Sequence, residues 1–197
     1  MYAPLAFRVD HRASLLAHAA TYPFATMITH GEGGIEASHV PLLVDANGGE
    51  LRGHLARDNA QLRHLEAGAH VLAVFHGPHG YVSPSVYLEP GVPTWNFVVV
   101  HARGRARVLD EQGLRAILDE TVARFDTSDW RARVNEEYLA PMRGRIAGFS
   151  IAIESLEGKW KLSQNRSAAD RDRVIEWLER GDASSREAAA LMRDRRG

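Results

Sequence analysis

The chain has 197 residues, 45% of them hydrophobic and 25% charged, with a formal net charge of −1; this is the composition of a globular domain and argues against overall disorder. It contains no cysteine, which excludes disulfides, thiolate nucleophiles, zinc–thiolate sites and iron–sulfur clusters. The balanced charge supplies no global basic field for nucleic acid, no apolar run reaches the ~20 residues of a membrane helix, and Met1-Tyr2-Ala3-Pro4 lacks the basic-then-apolar layout of a secretory signal, so a cytoplasmic protein is expected.

In chain order, Asp10 is placed to cap a short helix carrying Leu15 and Leu16. Residues 23–30 read as a strand, residues 31–34 as a turn, and residues 38–44 as a second strand in which Pro41 marks an edge or a bulge. Asn47-Gly48-Gly49 is a hairpin signal, and a third short strand over 51–55 follows it. Asp58 with Gln61 resembles a capping box for a helix whose apolar stripe is Leu62 and Leu65 and whose end is Gly68. Residues 70–75 read as a buried strand. Residues 77–93, rich in Gly, Pro and Ser, read as a long loop of the functional or disordered kind, with Tyr81 and Tyr87 favouring order. Residues 94–108 read as a strand pair or one strand bent around Gly104. Asp110 caps the best-patterned helix, in which Leu114, Ile117, Leu118, Thr121, Val122 and Phe125 follow the i, i+3, i+4, i+7 rule. Phe149, Ile151 and Ile153 alternate as in a strand. Ser167 and Asp170 open a helix with Val174, Trp177 and Leu178 on one face, and Ser184 with Glu187 forms a capping box for a last short helix. Mostly strands with hairpins, and helices towards the ends, indicate an α+β layout around an antiparallel sheet or barrel. Without a G-x-G-x-x-G after a strand or a Walker loop, Rossmann and P-loop readings are disfavoured.

Two features concentrate the chemistry. All ten histidines fall within the first 101 residues, and the basic residues are 22 arginines against two lysines, Lys159 and Lys161, in one short segment. That segment continues through Ser163, Gln164 and Asn165, a dense run of donors suited to a phosphate or to the polar edge of a planar ring; if it stays extended, Lys159, Lys161 and Ser163 share one side. Its plainer reading is a polar strand end leading to the Ser167 cap. The segment His54-Leu55-Ala56-Arg57-Asp58-Asn59 runs from a strand to a helix start, where free N–H groups and the Arg57 fork suit a phosphate; alternatively Asp58 satisfies the cap and Arg57 is a solvated charge. Thr94-Trp95-Asn96 sets an indole between two hydrogen-bonding groups, suited to a planar heterocycle, or marks an ordinary core tryptophan. His76 and His79 have no carboxylate near them until Glu89, so no metal site is expected. The serines of 80–85 lack nucleophile-elbow glycines, and no catalytic residue is assigned.

Taken together, Met1-Tyr-x-Pro, Ser38-His-Val-Pro41, Gly53-His-Leu-Ala-Arg-x-Asn59, Gly77-Pro-His-x-Tyr-Val-Ser-Pro84, Pro93-Thr-Trp-Asn96 and Lys161-Leu-Ser-Gln-Asn165 resemble the PaiB family of FMN-binding negative transcriptional regulators. The motifs keep the family's order and cover nearly the whole chain. The resemblance implies an antiparallel split β-barrel of the pyridoxamine-phosphate-oxidase-like kind over residues 1–165, with residues 166–197 as a helical extension packed on the same domain. It implies a homodimer with FMN at the subunit interface, His54, Ala56, Arg57 and Asn59 on the phosphate side, and Thr94, Trp95, Asn96, Lys161, Ser163 and Gln164 supplying further contacts. Ala60 stands where the family usually has proline, and Gly80 where a larger residue is common. The extension carries eight arginines and seven acids, so it is not a basic DNA-binding arm. A flavin-dependent oxidoreductase, or a haem- or metal-binding split barrel, is the competing reading.

Overall fold

The computed structural model describes residues 1–194; the end of the expected helical extension, residues 195–197, lies outside the described residues. The elements are β1 (Arg8–Val9), α1 (Arg12–Thr21), β2 (Phe24–Gly31), β3 (Gly34–Pro41), β4 (Leu43–Val44), β5 (Glu50–Ala56), α2 (Gln61–Glu66), β6 (His70–Val82), β7 (Thr94–Val108), α3 (Glu111–Phe125), α4 (Glu136–Arg143), β8 (Ile146–Lys161), α5 (Ala168–Glu179) and α6 (Ala183–Asp194). The strands form one sheet in the order β3-β2-β6-β7-β8-β5-β4, with β1 added to β8. The expected antiparallel sheet with flanking helices is therefore present, and its hydrogen-bonded path is open rather than closed. No helix among the described residues is long and apolar enough to cross a membrane.

Local chemistry explains most of the boundaries. The β4–β5 hairpin turns on Gly48, at φ 67°, while the Asp45 carboxylate accepts from the Asn47 and Glu50 amides at 3.1 and 2.6 Å. Asp110 caps α3 through the Gly113 amide at 2.8 Å, and Ser167 caps α5 through the Asp170 amide at 3.1 Å. Gly68 ends the α2 segment with a left-handed φ of 68°. Two caps are shifted by one or two residues. Asn59, not Asp58, accepts from the Gln61 amide at 2.9 Å, and Asp182, not Ser184, accepts from the Ser185 amide at 2.8 Å. In each case another short polar side chain nearby offers the same bond, and tertiary partners decide: the Ser184 hydroxyl accepts instead from the His79 amide at 2.8 Å.

The expected loop over 77–93 starts later than read: β6 continues through Gly77, Pro78 and Gly80 to Val82, and the irregular segment is 83–93. These glycines serve packing rather than turning. A Cβ on Gly77 would lie 2.4 Å from the His18 ring, and one on Gly80 would lie 2.5 Å from Leu178 Cδ2 and 2.9 Å from Ser185 Oγ. The departure at Gly80 thus has a reason: α5 and α6 approach the strand too closely for a side chain. Residues 94–108 form one continuous strand, not a pair.

The chain divides into two units of interleaved segments. The first comprises Met1–His18, Phe75–His101 and the chain from Leu156 onward; the second comprises Ala19–Val74 and Ala102–Ser155. In the first, Leu15, Phe75, Val98, Val100, Trp160, Leu162, Val174, Ile175 and Leu178 are buried. In the second, Met27, Leu42, Leu51, Leu65, Ile117, Phe149 and Ile151 are buried, and β5 pairs with β8 from Glu50↔Ala152 to Ala56↔Ile146.

Two predictions follow from this packing. A Cβ on Gly104 would sit 1.9 Å from the Ala152 carbonyl oxygen, and a backbone atom cannot step aside. Gly104→Ala is expected to cost at least the upper end of the roughly 1–3 kcal/mol of overpacking, read as a fall of roughly 6–12 °C in thermal midpoint for a chain of this size. His18 is buried, its ring edge-on to Trp160 at 5.2 Å. Burial lowers its pKa to about 4, against a smaller opposing hydrogen bond to the Phe75 backbone. Because the folded pKa lies below the ordinary value near 6.5, this contribution is complete above about pH 6.5 and is lost as pH falls towards 4. The loss is roughly 2–3 kcal/mol. Chemical denaturation of wild type and His18→Gln between pH 7 and 4 checks this: the variant should show the shallower decline.

Candidate functional site

The sequence-predicted residues divide between the two units, and each group is taken by itself. In the second unit, His54 and Ala56 lie on β5, opposite Gly148 and Ile146 of β8. Desolvation holds the His54 imidazole below its usual pKa, which favours the neutral ring. Arg57 follows the strand. Its amide donates to Arg145 O at 2.8 Å and its Nε to Gly144 O at 3.0 Å, which anchors the side chain at one corner. Its two Nη groups have no hydrogen-bond partner among the described residues, so the outer edge of the fork is open to an anion. Asn59 is spent on the fold: Nδ2 donates to Ser38 Oγ at 2.9 Å, and Oδ1 caps Gln61. The helix start is largely satisfied from within, because the Asn59, Gln61, Leu62 and Arg63 amides all have acceptors in the same turn. What remains available here is the Arg57 fork rather than a nest of amides.

In the first unit, alternation along β7 buries Asn96, Val98 and Val100 and leaves Trp95 53% exposed on the other side. Lys161, on β8, donates to Thr94 Oγ1 and, at 2.7 Å, to Trp95 O. Lys159 donates to Tyr2 O at 3.2 Å and lies over the Tyr2 and Phe97 rings at 5.5 and 5.3 Å. Arg166 lies 4.1 Å over the Tyr87 ring. None of these three cations meets a carboxylate in an ion pair or hydrogen bond among the described residues. Burial, then the charges of Lys159 and Arg166, push the Lys161 ammonium below its usual pKa. Repelling cations without a counter-charge, beside an exposed indole, are a ready receptor for an anionic or electron-rich planar group.

The expected alternation of Lys159, Lys161 and Ser163 stops at the strand end. Ser163 has φ 61° and is buried, exchanging hydrogen bonds with Asn96 at 3.0 and 3.2 Å. Gln164 accepts from the Leu162 amide at 2.7 Å and donates to Trp160 O at 2.6 Å. In this arrangement Asn96, Ser163 and Gln164 brace the turn that carries Lys161. Sequence reading missed His79 and Tyr81, whose rings stand 6.1 and 5.9 Å from Trp95, and Trp177, whose indole donates to Tyr81 O at 2.9 Å. The signal for the first two was their two-residue spacing, hidden because the segment read as a loop. Among the described residues no group of three or more His, Cys, Asp or Glu could hold a metal ion.

Comparison with known proteins agrees with these observations. Residues 1–155 match the family model described as "Putative FMN-binding domain". The chain is 32% identical over 202 residues to the "Protease synthase and sporulation protein PAI 2" of Bacillus subtilis (strain 168), covering 99% of this chain and 98% of that protein. It is also 30% identical to an uncharacterized protein of Emericella nidulans, with 82% of each covered. Among solved structures, the FAD and haem binding protein from Mycobacterium smegmatis superposes with a TM-score of 0.63 at 19% identity, covering 84% of this chain and 78% of the other. The flavocytochrome Anf3 from Azotobacter vinelandii gives 0.63 at 17% identity, covering 78% and 69%. At those identities the likeness is one of fold, and it bears out the expected split-barrel class. With the family model spanning most of the chain and the Bacillus relative nearly all of it, the chain belongs to the PaiB family of FMN-binding-domain proteins.

Proposed function

We propose that the chain binds FMN non-covalently, as a homodimer, and serves as a flavin-dependent sensor or negative regulator of transcription. Family membership supplies the flavin, and the Bacillus relative's name, which refers to protease synthesis and sporulation, supports the regulatory reading. In this chain the observation that carries the reading is the set of cations without counter-charge at Lys159, Lys161 and Arg166 beside the exposed Trp95. The open Arg57 fork adds to it.

In this proposal Arg57 receives the phosphate, with His54 and Ala56 lining that side and Asn59 fixing the turn. Thr94, Trp95 and Lys161 supply contacts to the flavin at the subunit interface of the homodimer, and Asn96, Ser163 and Gln164 contribute by holding Lys161 in place. Bound FMN supplies reversible electron transfer; the chain's residues bind and orient it.

Arg57→Ala removes a charge-assisted contact of roughly 1.5–3 kcal/mol, so FMN affinity should fall about ten- to a hundredfold. Arg57→Lys should recover only part, because a point charge does not reproduce the fork. Riboflavin, which lacks the phosphate, should bind wild type and Arg57→Ala with similar weakness. Flavin-fluorescence titration of the apo-protein decides this, and equal FMN affinity in wild type and Arg57→Ala would return Arg57 to a surface charge.

With no cysteine in the chain, acid precipitation should release the flavin completely, and sedimentation at micromolar concentration with FMN present should show a dimer. Flavin left on the chain, or a monomer, would refute the corresponding part of the proposal. Reduction of the flavin by a small-molecule donor, or a Soret band from bound haem, would favour the enzyme or the haem reading over the regulator.

A further inference from the structure

The apolar stripe of α3 is wider than the core beneath it. Leu114 and Ile117 are buried, while Leu118, Thr121 and Val122 are only half-buried and Phe125 is 51% exposed. The half-buried part is not simply a wetted surface. Within the second unit, Leu118 and Val122 line a cavity of about 380 Å³ with Trp130, Leu139 and Met142 of the following segment and Ile146 at the start of β8. That volume is at the small end of the roughly 300–1,000 Å³ typical of ligand pockets. The one hydroxyl in the wall is engaged, since Thr121 Oγ1 donates to Ile117 O at 2.7 Å.

The polar lining is asymmetric in charge. Three arginines, Arg115, Arg131 and Arg143, line this cavity with one acid, Asp119. The acids that pair with Arg115 and Arg143, Glu111 and Glu136, line the adjoining polar cavity and not this one. Arg143 is well covered, its side chain 11% exposed; its two Nη groups donate to the Glu136 carboxylate, and its buried Nε has no hydrogen-bond partner among the described residues, which leaves one donor for a ligand carboxylate. Asp119 is 3.7 Å from Arg131, a loose pair, and the Arg131 guanidinium lies 6.0 Å from the centre of the Trp130 ring.

We infer that this cavity is a binding site for a small monocarboxylic acid with a compact apolar body, such as one or two fused rings or a medium-length acyl chain. The body fills the space against Leu118, Val122 and Trp130, and the carboxylate faces Arg143 and Arg131. The cavity shares no lining residue with those proposed for FMN, although Arg57 lines the adjoining polar cavity, and the inference does not depend on that reading.

The test is isothermal titration of the flavin-loaded protein with 1-naphthoate and octanoate, each against its primary amide. The acids should bind saturably at one site per chain and about tenfold or more tighter than the amides, as a charge-assisted contact requires. Arg143→Met should abolish that preference while retaining weak binding of both forms. Leu118→Trp fills the cavity and should abolish binding of acid and amide alike without changing FMN affinity; Val122→Phe serves the same purpose if the first variant fails to fold. Absence of saturable binding to wild type overturns the inference. So does equal affinity for acid and amide, or undiminished binding in the filled variant.

Discussion

In β7 the side chains of Asn96, Val98 and Val100 are buried, and a strand allows only two sides. Trp95 and Phe97 must therefore stand on the other, and the same two-residue period along β8 and into the residue after it buries Trp160 and Leu162 while releasing Lys159 and Lys161. The contact of Lys159 with the Phe97 ring is a direct consequence, while Lys161 reaches the start of β7, donating to Thr94 Oγ1 and to the Trp95 carbonyl. The alternation also fixes register: a slip of one residue would bury two lysines and expose the tryptophan that covers His18. The donors and aromatics of the candidate site are thus the reverse side of the core, and their positions are held by the burial of their neighbours.

Holding that face in place requires an unusual turn. Among the described residues Ser163 is the one non-glycine with positive φ, a conformation that costs of order 1 kcal/mol or more. The buried amide of Asn96 offsets it through two hydrogen bonds. Gln164 closes the same turn onto the backbone of Trp160 and Leu162. The residues that read as ligand donors in sequence are here the fixings of the strand end. In this turn the positive φ of Ser163 goes with donors that face the chain's own backbone and Asn96.

The fold was legible where a residue has only one local use. Asp110 before an apolar period, Asn47-Gly48-Gly49 between strands and Gly68 after a helix each read correctly, because their side chains or φ values serve the element they punctuate. Legibility failed where a residue answers to distant chain. Gly77 and Gly80 read as loop, yet they are glycine so that His18, Leu178 and Ser185 can approach an extended strand. Pro78 between them strengthened the wrong reading. For the site, motif order gave the family and the cofactor class. It did not show that Asn59 would be absorbed by Ser38 and the α2 cap, or that His79, Tyr81 and Trp177 would gather around Trp95.

The scarcity of lysine has a practical side. Lys159 and Lys161 are the chain's two lysine amines, and both sit on the face that carries Trp95. Amine-directed chemistry is therefore site-directed in this protein without any engineering. Reductive methylation with labelled formaldehyde introduces side-chain methyl groups at these two positions and at no other side chain, beside the α-amine of Met1 that is paired with Glu157, so two side-chain NMR signals report on one face of one unit. Lys161, whose ammonium gives up its proton more readily than an ordinary lysine, offers a nucleophilic amine at a lower pH than usual. A protein so poor in lysine carries its own spectroscopic address.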